Sequence, residues 1–162
     1  MEDPAKWFHM QLTSSAEACI WALEQLPEER RWTAPPRHPN EWPAARHIFH
    51  LLSYERRLAL PSMRIWRGEP FEREETYQED ITWEDAEWAK GQSLPAMLAD
   101  FRQVRGEQIA LLATYDEASW QRVLSTPAWG EVTLLWVLTK TLQHTFEHTH
   151  DMLRIGLFWD FR

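Results

Sequence analysis

Apolar side chains recur at intervals of three and four residues in four long segments of the chain. This is the spacing of one face of an α-helix. The pattern predicts helices over Pro4–Leu26, Glu41–Leu60, Ser93–Tyr115 and Val132–Phe158. At 1.5 Å per residue, helices of this size are about 27–39 Å long, which suits a four-helix bundle. We therefore predict an all-α four-helix bundle that forms one domain over residues 1–162.

The connection between the second and third predicted helices, residues 61–92, is long and rich in charged residues. Its length would allow these two helices to run parallel, and the segment could form one wall of a pocket. Within it, Thr82 is a candidate N-cap for a short helix that ends at Gly91. The last connection, residues 116–132, contains proline and glycine and is expected to be irregular.

Composition narrows the functional classes. The formal charge is −8 and no run of Lys or Arg occurs, which argues against a nucleic-acid partner. No apolar segment reaches the roughly 18 residues of a membrane span, and the first residues lack a signal-peptide pattern. The chain has one cysteine, Cys19, which excludes an intramolecular disulfide and is expected to be a small, partly buried spectator. These features are typical of a cytoplasmic protein.

The fourth predicted helix carries His144 and His148, four residues apart, so both imidazoles fall on one face with about 5–6 Å between Cβ atoms. An angular plot places this pair at the edge of an apolar arc whose far edge is Phe146. Glu147 and His150 fall on the opposite flank. One divalent metal ion could bind a nitrogen of each ring at about 2.0–2.1 Å. The alternative is a pair of structural or exposed histidines without a ligand.

The second predicted helix supplies the third candidate ligand. It carries His47 and His50, three residues apart. Their spacing alone does not choose between them, because both lie near the same face. Tyr54, one helical turn after His50, is a candidate hydrogen-bond donor in a pocket beside such a site.

The segment from His144 to His148 also fits the H-x-x-E-H pattern of a class of zinc proteases. Those proteases are larger mixed α/β enzymes whose third ligand lies well downstream. Only 14 residues follow His148 in this chain, and Glu147 projects away from the histidine edge. We therefore reject the protease interpretation.

A combined pattern joins the second and fourth predicted helices. Trp42 lies near the start of the second helix and is followed eight residues later by His50 and then a leucine. A helix start rich in Thr and Val precedes the H-x3-H pair of His144 and His148. These two stretches resemble the DinB/YfiT-like family of bacterial four-helix-bundle proteins, whose pattern selects His50 over His47.

The resemblance implies a DinB/YfiT-like bundle of down-up-up-down connectivity, with a metal ion held by His50, His144 and His148. Imidazole suits Zn, Ni, Cu or Fe, so the ligands do not name the metal, and Zn or Ni is the expected cofactor. The resemblance also implies a homodimer that transfers a low-molecular-weight bacterial thiol, such as bacillithiol or mycothiol, to a small-molecule substrate. One position departs from the family pattern: many members have another histidine or a glutamine soon after the pair, whereas Asp151 stands three residues after His148 in this chain.

Two alternatives remain open. The same three histidines could activate water in a metal-dependent hydrolase. The chain could also be a non-catalytic stress-response bundle that binds a small molecule or a partner. A requirement for thiol separates the transferase from the hydrolase, and function retained after His50→Ala would favour the non-catalytic protein.

Overall fold

The computed structural model of the chain describes residues 3–71, 79–84 and 93–159. Its helices are α1 (Pro4–Glu24), α2 (Ala44–Tyr54), α3 (Leu60–Arg64), α4 (Glu79–Glu84), α5 (Leu94–Leu112), α6 (Glu117–Gln121) and α7 (Leu134–Phe158). An antiparallel hairpin of β1 (Val123–Thr126) and β2 (Gly130–Thr133) leads directly into α7.

Four long helical segments form the predicted four-helix bundle of down-up-up-down connectivity. α1 packs against α5 and α7, and α2 packs against the same two helices. The fully buried side chains at the centre come from all four segments and include Phe8, Leu12, Leu23, Ile48, Leu51, Met97, Phe101, Leu134, Leu138 and Met152. Within the described ranges, no helix combines the length and apolar character needed to cross a bilayer.

Local side-chain caps fix the starts of three of the long helices. The side chains of Asp3, Ser93 and Thr133 each accept a hydrogen bond from the backbone N–H three residues later, at 3.0, 3.4 and 3.1 Å. Each cap satisfies a donor that the first helical turn leaves without an intrahelical partner. The starts of α1, α5 and α7 are therefore encoded locally.

The second bundle helix begins later than the predicted start at Glu41. α2 starts at Ala44, because Pro43 before it has an extended backbone with ψ of 153°. Glu41 instead forms a bidentate ion pair with Arg154 of α7, at 3.1 and 2.7 Å. This pair ties the segment ahead of α2 to the last helix.

The same helical segment also extends beyond its predicted end at Leu60. A π turn over Glu55–Ala59 joins α2 to α3, and the N–H of Leu60 donates to the carbonyl of Glu55, five residues back. The regular hydrogen-bond ladder is thus already interrupted where Pro61 lacks its N–H. The helical path consequently continues to Arg64, where the sequence predicted a connection.

The last connection, expected to be irregular, contains α6 and the β-hairpin. Val123 pairs with Thr133 and Thr126 pairs with Gly130. The hydroxyl of Thr126 accepts a hydrogen bond from the N–H of Trp129 at 3.1 Å, and Gly130 takes the left-handed conformation with φ of 68°. Strands of four residues are too short for an alternating pattern to stand out in the sequence, which explains why the hairpin was not predicted.

The long connection contains α4, whose start differs from the prediction. α4 begins at Glu79, so Thr82 lies inside it and is not its N-cap. Gly91, the predicted end of the short helix, lies outside the described residues. The prediction of a short helix in this connection is confirmed, but its first residue was wrong.

The buried face of α7 is centred closer to the histidines than the angular plot predicts. Its centre holds Thr141, Thr145 and Thr149, whose hydroxyls donate to the carbonyl four residues back at 2.9, 2.9 and 2.7 Å. Threonine can be buried in this way because the backbone satisfies its hydroxyl. Phe146, predicted at the far edge of the apolar arc, is 49% exposed.

Candidate metal centre

Three histidines from α2 and α7 meet where these helices pack together. Nε2 of His144 lies 2.9 Å from Nε2 of His50 and 3.1 Å from Nε2 of His148. The ring centroids are 4.7–4.8 Å apart for all three pairs. The residues that the family pattern selects therefore converge through equivalent nitrogens.

The other ring nitrogens of these histidines have different surroundings. Nδ1 of His50 donates to the carboxylate of Glu79 in α4. Nδ1 of His148 lies 2.8 Å from Nδ1 of His47, one helical turn before His50. Nδ1 of His144 is buried and has no hydrogen-bond partner among the described residues.

Burial keeps His144 and His148 neutral. It lowers the pKa of His144 to about 3 and that of His148 to about 4, and the positive charge that neighbouring histidines would carry adds to the effect. Burial likewise lowers the pKa of His47 to about 3. Neutral imidazole is the form that binds metal ions, so no proton has to be removed from these rings at neutral pH.

The three Nε2 atoms are better suited to binding a cation than to forming hydrogen bonds with one another. A neutral imidazole carries one N–H. If His50 and His148 hold theirs at Nδ1, both Nε2 atoms present lone pairs to the same Nε2 of His144. That atom can donate to only one of them, whereas a cation accepts all three lone pairs. The residues therefore fit a single divalent ion, whose tetrahedral ligand atoms would stand about 3.3 Å apart at Zn–N bonds of about 2.0–2.1 Å.

A second group, formed by His47, His148 and Asp151, also places three possible ligand atoms near one another. Nδ1 of His148 is 3.9 Å from Oδ2 of Asp151 but only 2.8 Å from Nδ1 of His47. The shorter contact is a hydrogen bond between the two rings, and the longer one is not. We therefore assign this Nδ1 to the hydrogen bond with His47.

Aromatic side chains surround the histidine cluster. The ring of Trp42 stacks on His148 at 6.1 Å between centroids and meets the ring of His50 edge-on at 5.2 Å. The ring of Tyr54 lies 4.2 Å from that of His144. Burial raises the pKa of Tyr54, so its hydroxyl keeps its proton at neutral pH. The rings of Trp42 and Tyr54 thus line the cluster, and the side chain of His50 remains 25% exposed.

The other histidines and the carboxylate considered in the sequence do not face the three Nε2 atoms. His47 reaches the cluster, but through His148. Glu147 accepts a hydrogen bond from Gln143 at 2.7 Å on the exposed side of α7, and the side chain of His150 is 77% exposed. Glu79 was not predicted, because no periodicity or spacing links it to His50.

Cys19 lies away from this chemistry. Its side chain is fully buried in α1. Burial raises the pKa of the thiol to about 12, so it stays protonated and a poor nucleophile at neutral pH. These properties agree with the expectation of a spectator.

The family model described as the DinB superfamily matches residues 11–152. No curated protein matches the chain in sequence. The solved structure of YfiT from Bacillus subtilis, described as a probable metal-dependent hydrolase with an unusual four-helix bundle topology, superposes with a TM-score of 0.76. It is 16% identical, and the match covers 97% of this chain and 88% of that chain. The structural similarity establishes the shared fold, and the match to the family model shows that the chain belongs to the DinB superfamily.

Proposed function

We propose that the protein is a metal-dependent enzyme in which His50, His144 and His148 hold one divalent ion, with Zn or Ni as the expected metal. The observation that carries this proposal is the convergence of three Nε2 atoms at 2.9 and 3.1 Å. Three neutral imidazoles leave a coordination position for a substrate, as in catalytic zinc sites.

The proposed reaction is the transfer of a low-molecular-weight bacterial thiol, of the bacillithiol or mycothiol type, to a small electrophile. An ion bound by the three histidines would supply a positive charge that favours the deprotonated thiol. The rings of Trp42 and Tyr54 support this choice, because sulfur packs on aromatic rings with a gain of about 0.3–1.5 kcal/mol. The protonated hydroxyl of Tyr54 is a candidate donor to the substrate.

Hydrolysis at the same three histidines is the second candidate. It is favoured by the similarity to YfiT, which is described as a probable metal-dependent hydrolase. In this case water takes the place of the thiol. The two reactions therefore differ in their requirement for a thiol.

Metal content measured by elemental mass spectrometry tests the shared basis of both reactions. We expect about one Zn or Ni per chain in the wild type and a large loss in His144→Ala, because three ligands bind such ions far more tightly than two. His150→Ala is the matched control, since this histidine lies on the same helix but is exposed. A wild type that takes up neither metal contradicts the proposal.

The metal-loaded protein then distinguishes the two reactions. Consumption of an electrophilic substrate that requires bacillithiol or mycothiol supports thiol transfer. Turnover of ester or amide substrates without any thiol supports the hydrolase. His144→Ala should abolish either activity, and His150→Ala should retain it.

We also propose that the protein associates as a homodimer through the exposed side of α1 and α7. These two helices pack against each other and carry large apolar side chains that are exposed, namely Trp7, Met10, Trp21, Trp136, Phe146 and Leu157. Large exposed apolar side chains, when they cluster, mark sites of association.

A further inference from the structure

The imidazole of His50 is hydrogen-bonded to a carboxylate from the long connection through Nδ1, the ring nitrogen that does not face His144. Nδ1 of His50 donates to Oε1 of Glu79, the first residue of α4. Both side chains are 25% exposed, so the contact is partly shielded from solvent. A hydrogen bond to a charged acceptor is stronger than one between neutral groups.

Aromatic packing holds α4 in the place where this contact forms. The ring of Trp83, one turn after Glu79, lies 5.4 Å from that of Phe49, which is the neighbour of His50 on α2. On its other side Trp83 stacks against Trp32 at 6.3 Å. Trp83 and Glu79 of α4 therefore contact two adjacent residues of α2. These are Phe49 and His50.

This contact determines which nitrogen of His50 carries the proton. A proton held at Nδ1 by Glu79 leaves a lone pair on Nε2, the atom that faces His144 at 2.9 Å. A carboxylate in this position also fixes the orientation of the ring and strengthens its bond to a metal ion. Among the described residues, no carboxylate is as close to His144 or His148, since Asp151 is 3.9 Å from Nδ1 of His148.

We propose that Glu79 is a positioning residue that orients His50 and raises the affinity of the three-histidine site for its divalent ion. The long connection thereby completes the site from outside the four bundle helices. This inference rests on the proposed metal site and adds a residue that no part of the family pattern contains.

Metal affinity of variants tests the proposal without reference to enzymatic activity. Glu79→Ala removes the acceptor, and we expect Zn²⁺ and Co²⁺ to bind about 10–100-fold more weakly in competition with a chromophoric chelator. Glu79→Gln keeps an oxygen that accepts from Nδ1 but loses the charge, so we expect a smaller loss. The visible spectrum of bound Co²⁺ should also shift in both variants, because the ligand field depends on His50.

Glu107→Gln is the matched control. Glu107 pairs with Arg64 at 2.9 Å and is 40% exposed, but it does not touch a histidine of the cluster. We expect wild-type affinity and an unchanged Co²⁺ spectrum. Thermal unfolding of the metal-free proteins should show that all three variants fold like the wild type, since each replaced side chain is partly exposed.

The outcomes separate the two proposals. If the wild type binds metal and both Glu79 variants bind it within about twofold of that affinity, far from the expected 10–100-fold loss, the role of Glu79 is overturned and the metal site stands. An equal loss in Glu107→Gln overturns it as well, because the effect would then not pass through His50. A wild type that binds neither ion overturns the metal site together with the inference.

Discussion

Nδ1 of His47 lies 2.8 Å from Nδ1 of His148, so two imidazoles from α2 and α7 share a single proton. Burial lowers the pKa of His47 to about 3 and that of His148 to about 4. Protonation of both rings would place two positive charges at hydrogen-bond distance. The pair therefore makes the packing of α2 against α7 sensitive to acid.

We expect the metal-free protein to lose stability as the pH falls from about 6.5 towards 4. The unfolded chain binds protons at its histidines near pH 6.5, whereas the folded chain protonates His47 and His144 only near pH 3. In this range the unfolded state binds more protons, so the free energy of unfolding falls as the pH falls. Each pKa unit that separates the two states corresponds to about 1.4 kcal/mol. Urea unfolding in the presence of a chelator, repeated across this range, measures the slope.

Replacement of His47 measures how much this residue contributes to the dependence of the free energy of unfolding on pH. His47→Gln removes a group that takes up a proton in this pH range only in the unfolded chain, so we expect a smaller loss of stability between neutral and mildly acidic pH. Burial raises the pKa of Glu55, so its contribution to the pH dependence of stability has the opposite sign. That contribution is the same in the wild type and the variant, so it cancels in the comparison. His150→Gln should retain the wild-type slope, and equal slopes in all three proteins would refute the role of His47.

We expect Arg105→Met to destabilise the fold by about 3–5 kcal/mol. Arg105 of α5 pairs with Glu55 at 2.5 Å, and the two side chains are 3% and 0% exposed. Removal of the arginine leaves a buried carboxylate that has lost its positive partner but still accepts a hydrogen bond from the side chain of Gln108 at 2.5 Å. The free energy of unfolding in urea measures this effect.

Arg64→Met is the control for the buried pair. Arg64 pairs with Glu107 at 2.9 Å, with both side chains 40% exposed. Exposed ion pairs contribute about 0–1 kcal/mol, so we expect little change. Similar losses in the two variants would mean that the buried pair does not anchor the core.

Metal binding should stabilise the fold. Zn²⁺ at about 100 times its dissociation constant is expected to raise the free energy of unfolding by about 2.7 kcal/mol, because it binds the folded chain and not the unfolded one. His144→Ala should show no such increase, and His150→Ala should match the wild type. Thermal unfolding with and without a chelator gives the measurement, and equal stabilisation of His144→Ala would place the ion elsewhere.

The proposed dimer predicts that charge on the exposed side of α1 and α7 weakens association. Trp21 and Phe146 are 53% and 49% exposed, so Trp21→Glu combined with Phe146→Glu should yield monomers without loss of the fold. Analytical ultracentrifugation measures the mass in solution. A wild type that sediments as a monomer, or a double variant that remains dimeric, would contradict this interface.

The sequence predicted the bundle because its long helices are amphipathic and several are capped locally. Asp3, Ser93 and Thr133 mark their starts within a few residues. The path around Pro61 was harder to predict, since a proline ordinarily ends or kinks a helix. Here a π turn and the buried contacts of Glu55 with α5 change the outcome, and those contacts lie 50 and 53 residues away in sequence.

The histidine cluster was predictable only in part, because some of its contacts join residues that lie far apart in the sequence. His144 and His148 share a face by helical spacing alone, whereas His47 and His50 differ only in how α2 packs on α7. Both approach the cluster, but only His50 presents its Nε2 to His144. Glu79 lies 29 residues from His50, and its contact depends on the docking of Trp83, which leaves no periodic signal in the chain.

The π turn at Glu55–Ala59 has a consequence for how the chain tolerates insertions and deletions. A π turn closes its hydrogen bond over one residue more than an α turn. Deletion of one residue within it would leave the N–H of Leu60 four residues after the carbonyl of Glu55, which is the spacing of a regular α-helix. Leu60 and Met63, which are 4% and 0% exposed, would then keep their places in the core. In a regular turn the same deletion would rotate all that follows by about 100°. The π turn is therefore the place in this segment where the loss of a single residue disturbs the bundle least.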